Sequence, residues 1–170
     1  MASHLIDGTT YVTHEDPVWR SEENYMGMVD LVPFGMANSL EQLWLRPTDG
    51  ESYVVSCIPF FAYGLALGDT VILRDGRFVT SVHGRSGRRA LRVMFTESPE
   101  VSQLCSMLRD MLISHELMSE WNGDRHVAVD VTDSSVVMSP VFDAVEPMVR
   151  RGAAFWEWSD ARTLDGSLPQ

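Results

Sequence analysis

What most constrains the fold of this chain is a change of hydrophobic period near residue 96. Before it, apolar residues come in short runs separated by turn residues; after it, they recur at i, i+3, i+4 and i+7. Leu43-Trp44-Leu45 leads into the turn Pro47-Thr48-Asp49-Gly50. Tyr53 to Ile58 follows, and Pro59, which cannot donate to a strand ladder, ends that run. Val71 to Arg74 and Arg77 to Val82 flank Asp75-Gly76, a pair suited to the positive φ of a two-residue hairpin turn. Ala90 to Phe95 predicts another strand, with Leu91, Val93 and Phe95 on one face and Arg92 and Met94 on the other. Strands this short and closely spaced imply a small curled sheet or barrel.

Beyond residue 96, Ser98-Pro99-Glu100 predicts a helix start, with a serine cap and proline at the first helical position. Val101, Leu104, Cys105, Leu108, Met111 and Leu112 then form one apolar stripe. After the turn at Asn122-Gly123-Asp124, Val127, Val129 and Val131 alternate as a half-buried strand. Ser139-Pro140 opens a second helix with Val141, Phe142, Val145, Met148 and Val149 on one face, Gly152 stops it, and Ala153 to Trp158 is a last strand. The expected class is therefore α+β: a β-rich, barrel-like half over 39–96, followed by a β-α-β-α-β two-layer half over 97–162 packed on it. Residues 1–38 lack a sustained period and are expected as a partly ordered extension, from which Met26 to Phe34 can dock as a strand. Residues 163–170 are expected as a loose tail.

Charge narrows the function classes. All thirteen basic residues are arginines, against twenty-four acids, for a formal charge of −11. The absence of lysine excludes Schiff-base lysine chemistry and a Walker-type phosphate loop. An acidic chain also disfavours nucleic acid and anionic membranes, whose affinity comes from clustered positive charge, and suits a partner with a basic surface. The charge is uneven, however: residues 74–92 hold six arginines and one acid. Cys57 and Cys105 stand in apolar contexts without C-x-x-C spacing, as small buried hydrophobes of a reducing compartment do. No apolar run approaches the roughly 18 residues of a membrane span, and the first residues lack the basic and apolar regions of a signal peptide. A cytoplasmic location is expected.

Glu41-Gln42-Leu43-Trp44, Ile58-Pro59-Phe60-Phe61-Ala62-Tyr63-Gly64, Leu67-Gly68-Asp69, Arg85-Ser86-Gly87 and Arg92-Val93, with the later Ala128-Val129-Asp130-Val131, resemble a bacterial family known as domain of unknown function 4265. The resemblance covers roughly residues 40–160. Cys57 stands where family members often have Asn. The family implies no activity, so it contributes no catalytic residue, cofactor or metal.

The residues themselves offer a few constellations. His83, Arg85, Ser86, Gly87, Arg88 and Arg92 combine backbone-turning glycine with arginines that grip carboxylate or phosphate, and make a candidate anion site. The competing reading is a loop whose arginines pair with the chain's own acids. Trp44, Phe60, Phe61 and Tyr63 are pocket or core aromatics. Trp156 and Trp158 share a strand face and either anchor a partner or cover a helix. Asp130 with Asp133 lacks a third metal ligand, and His115-Glu116 lacks the second histidine of a zincin. His83 and His126 are available bases and Ser86 an available hydroxyl, but no third member completes a triad. These features point to a non-enzymatic protein-binding module, immunity- or antitoxin-like or a regulatory adaptor. The alternative is a small-molecule-binding protein or enzyme with an arginine-lined anion site between the two halves.

Overall fold

A computed structural model describes residues 3–22, 24–132 and 138–170. It has α+β architecture, built on two sheets. Strands β1 (Ser3–Ile6) and β2 (Thr9–Val12) form a hairpin across Asp7 and Gly8, both at positive φ. They precede β3 (Tyr25–Asp30), β4 (Ser39–Pro47), β5 (Ser52–Val55), β6 (Thr70–Arg74) and β7 (Phe78–Gly84). Strands β4, β3, β7, β6 and β5 follow one another around a ring, and β5 returns to pair with β4. The ring is only partly closed, because β3 and β7 meet at Met28 opposite Phe78 and then diverge. The expected extension thus supplies three strands, with β2 running parallel to the start of β4.

The second sheet is antiparallel, in the order β11 (Ala154–Trp158), β8 (Arg89–Phe95), β10 (His126–Val131), β9 (Ser119–Asn122). Helices α1 (Val101–Ser114) and α2 (Ser139–Arg150) cover one face. Leu91, Val93, Phe95, Val127, Val129 and Val131 meet Leu104, Leu108, Leu112, Val141, Val145 and Met148 there in one apolar cluster. Leu108 and Leu112 are buried, each worth about 1.5–3 kcal/mol against exposure. The opposite face of the same sheet lies on the barrel, so Ala90 and Ala128 join the barrel's core with Leu43, Leu45, Val55 and Val71. Strand β10 is consequently buried along its whole length, not half-buried as its alternation predicts.

Several boundaries differ from the sequence expectation for local reasons. Strand β5 stops at Val55, and residues 56–58 turn inward. Arg74 stands opposite Phe78, so the hairpin loop holds Asp75, Gly76 and Arg77, the first two at positive φ. The Ser98 carbonyl accepts from Val101 N at 3.1 Å, which places Pro99 in a turn before α1 and leaves Glu100 as a cap without a side-chain bond. Strand β9, too short for a visible period, was not anticipated. In the expected tail, Leu164 packs on the barrel core, and Gly64, at φ +70, allows that approach: a Cβ there would lie 2.5 Å from Leu164 N.

Candidate functional site

Strand β4 directs Ser39, Glu41, Leu43 and Leu45 inward. A carboxylate in that row is costly unless its charge and lone pairs are satisfied. Glu41 satisfies both. Its Oε1 accepts from Phe60 N at 2.5 Å and from His14 Nε2 at 3.1 Å, and its Oε2 from Phe61 N at 2.9 Å and Ala62 N at 2.7 Å. The other imidazole nitrogen of His14, Nδ1, lies 2.5 Å from Glu120 Oε2 in β9, and Glu120 Oε1 accepts from Ile58 N at 2.8 Å and Val18 N at 3.1 Å. The His14 ring stacks on Phe60, with centroids 4.2 Å apart and planes 8° from parallel. One residue from the N-terminal segment therefore ties the barrel to the second sheet.

Arg92 of β8 approaches the same loop from the opposite side. Nη1 donates to Phe61 O and to Glu157 Oε1, both at 3.2 Å, and Nη2 donates to Ala62 O. The segment Phe60–Ala62 is thus held by its N–H groups through Glu41 and by its carbonyls through Arg92. Arg92 is 2 % exposed and lies over the Tyr63 ring. The phenol of Tyr63 in turn donates to Glu157.

These surroundings set the protonation states. Burial pulls the His14 pKa down, but interactions with Cys57, Glu120 and Glu41 overcome it and hold the imidazole well above 6.5. Burial pushes the Cys57 thiol pKa up, against the charge and hydrogen bond of His14, which draw it down. Burial alone would raise Glu41; the hydrogen bond and charge of His14, then Arg92, bring it to about 2. Burial draws the Arg92 pKa down against Glu41 and Glu157, and guanidinium remains a cation in proteins. His126 behaves oppositely: burial, followed by the charge of Arg92, lowers it to about 4. At neutral pH the interior thus holds one imidazolium and one neutral imidazole.

His126 belongs to a cross-strand row on the barrel-facing side of the second sheet. Phe155 stands opposite Met94, Met94 opposite His126, and His126 opposite Asn122. In the adjacent row, Arg92, Ala128 and Glu120 are covered by the barrel, while the Glu157 side chain is 44 % exposed. The outer row is only partly covered, and two clefts of about 290 and 170 Å³ open along it, sharing Phe61, Met94 and His126 as walls.

A family model, Domain of unknown function (DUF4265), matches residues 41–146, from the Glu41 that grips the loop to the third turn of α2. The chain belongs to that family. A solved structure similar to this DUF4265 protein is described as a hypothetical protein from Neisseria gonorrhoeae; it has 14 % identity, a TM-score of 0.56, and coverage of 89 % of this chain and 98 % of that one. That likeness is one of fold. No curated protein matches.

The segments that carry the DUF4265 resemblance meet around one loop. Glu41 and Arg92 hold Phe60–Ala62. Asp69 accepts from Ala66 N at 3.1 Å, Ser86 N at 2.8 Å and Arg85 Nη1 at 3.1 Å. Of the anion-site candidates, Arg85 also donates to Gly64 O at 2.6 Å, Arg88 turns to Asp130 and lies over Trp19, and Gly87 sits at φ +79. His83 is exposed on β7, while Arg92 is inside. The arginine island is thus divided among different acids. Asp130 is buried in β10, where burial raises its pKa against Arg88; Asp133 lies outside the described residues. Among the described residues, no group of three His, Cys, Asp or Glu side chains forms a metal-binding arrangement. Trp44 donates from Nε1 to His14 O at 2.9 Å, and Phe60 is core. Trp156 and Trp158 lean edge-on against Phe142 of α2. His14 and Glu120 were not anticipated, because their partners lie 27 and 106 residues away.

Proposed function

We propose that this DUF4265 protein is a non-enzymatic protein-binding module, immunity- or antitoxin-like or a regulatory adaptor, that engages a partner with a basic surface. What carries this reading is an acid-walled cleft of about 380 Å³ at the β9 edge, where exposed Glu15, Asp16 and Asp124 surround Trp121. Arg109 lines the cleft too and lies over the Trp121 ring, 4.2 Å from its centroid, so acids outnumber it there, while other arginines are engaged elsewhere: Arg85 with Asp69, Arg88 with Asp130, Arg89 with Asp160 and Arg92 with Glu157. A chain of charge −11 therefore presents a negative face that steers a cationic partner, with the half-buried Trp121 ring beneath Arg109 at its wall. The open edge of β11, with Trp156 and Trp158 behind it, offers a second contact. Among the described residues, no helix is long and apolar enough to cross a membrane.

The test is capture of the tagged chain from its native host at low ionic strength, followed by association kinetics with the partner recovered. Wild-type association should slow steeply with salt, and the triple variant E15Q/D16N/D124N should associate at least tenfold more slowly. Recovery of the chain alone, or a partner indifferent to both salt and the triple variant, overturns the proposal.

A further inference from the structure

The outer row of the second sheet contains groups that the protein-binding reading leaves unused. His126 is 6 % exposed and its Nδ1 is buried without a hydrogen-bond partner; Arg92 Nε is likewise buried without one. Leaving such groups unpaired costs the full desolvation of each, so two at one place call for an explanation. Both residues line the cleft of about 170 Å³, whose other walls are Phe61, Met94, Phe155, Trp156 and Glu157. The cleft has an apolar body and a polar end. Phe61 packs at a tilt against the His126 ring, with centroids 4.8 Å apart and planes at 54°, and Phe155, 53 % exposed, forms the outer lip. A cleft lined by aromatic and apolar side chains with a few polar ones among them has the composition of a small-molecule site.

The geometry points to a binding site for a small aromatic carboxylate, its ring over Met94 between Phe61 and Phe155 and its carboxylate directed to Arg92 and His126. Arg92 Nε–H is a donor and requires an acceptor. The guanidinium is positive but paired with Glu157, which lines the same cleft with its side chain 44 % exposed, so the preference for an anion rests on the unpaired Nε–H and not on a net positive end. Ring stacking against Phe61 supplies the apolar part. The neighbouring cleft of about 290 Å³, bounded by Asn122, Gly123, Asp124 and Arg125, adjoins across Phe61, Met94 and His126 and gives room for a substituent on the ring. The site shares no wall with Glu15 or Asp16, although Asp124 borders the neighbouring cleft and Trp156 this one, so benzoate binding is tested on the isolated chain, independently of any partner.

The probe is benzoate, compared with benzylamine, titrated into the full chain and followed by amide and methyl NMR. Saturable shifts at Phe61, Met94, His126 and Phe155 are expected with benzoate, with at least tenfold weaker binding of benzylamine. Two variants test the location without removing a buried charge: Met94→Trp fills the cleft, and Phe155→Ser removes its lip. Each should weaken benzoate at least fivefold while keeping the native amide spectrum elsewhere. Absence of saturation by benzoate, equal binding of the amine, or unchanged affinity in folded Met94→Trp and Phe155→Ser overturns the site.

Discussion

Replacing His14 with alanine tests the buried charge cluster at its centre. The substitution removes a ring that contacts Glu41 at 3.1 Å and Glu120 at 2.5 Å and stacks on Phe60. Two charge-assisted hydrogen bonds at roughly 1.5–3 kcal/mol each give about 3–6 kcal/mol. The usual cost of breaking a buried pair, about 3–5 kcal/mol, agrees. Against a total stability of about 5–15 kcal/mol for a domain, that is a large fraction. With a urea slope of about 2 kcal/mol per molar, the midpoint should fall by about 2 M. Adding Glu120→Gln should restore part of the loss, because it removes the carboxylate left without a counter-charge. A loss in His14→Ala below about 1 kcal/mol, the range of exposed ion pairs, would refute the reasoning, since it would mean that the carboxylates find water or other partners.

Acid should destabilise the protein in two stages. His126, held at about 4 when folded against 6.5 in the open chain, loses stability as pH falls from 6.5 to 4. Glu41, held at about 2 against 4.5, loses it from pH 4.5 to 2, by about 3 kcal/mol in all. His14 has the opposite sign: its raised pKa makes stability decline as pH rises above 6.5, so denaturation midpoints across pH should peak near 6.5, and a monotonic profile would contradict these assignments. Gly64→Ala should free the C-terminal segment, because the added Cβ meets Leu164 N and sits at φ +70; the check is faster carboxypeptidase trimming together with a stability loss of roughly 1–3 kcal/mol. Arg92→Leu should cost about 3–5 kcal/mol, since Glu41 and Glu157 lose a cation and two carbonyls lose their donor; urea denaturation reads it directly.

Period and turn chemistry made the broad architecture legible. The switch to helical spacing after residue 96 corresponds to α1 and α2, and the stripe from Leu104 to Leu112 faces the second sheet as written. Asp75-Gly76 marks its turn because positive φ restricts residue choice. The barrel contact over β10 was hidden: the strand keeps an alternating pattern although both of its faces are buried, so His126, Ala128 and Asp130 read as an outward face. The charge cluster was partly visible. Glu41 occupies an inward position of a strand whose alternation can be read, which is the signal that a buried carboxylate gives. Its partner His14 lies in a segment without period, and only the closed fold brings the two together. Arg92 was placed on the correct face of β8, but the carbonyls it holds belong to a loop whose path no local rule predicts.

The most direct test of this account is the protonation of its two buried histidines, read in one long-range nitrogen–proton NMR spectrum at pH 7.5. The account predicts His14 as an imidazolium with both nitrogens protonated, between Glu41 and Glu120, and His126 as a neutral ring beside Arg92 and the cleft. A neutral His14, or a His126 that titrates with the ordinary pKa of an exposed histidine, would contradict the interior charge pattern.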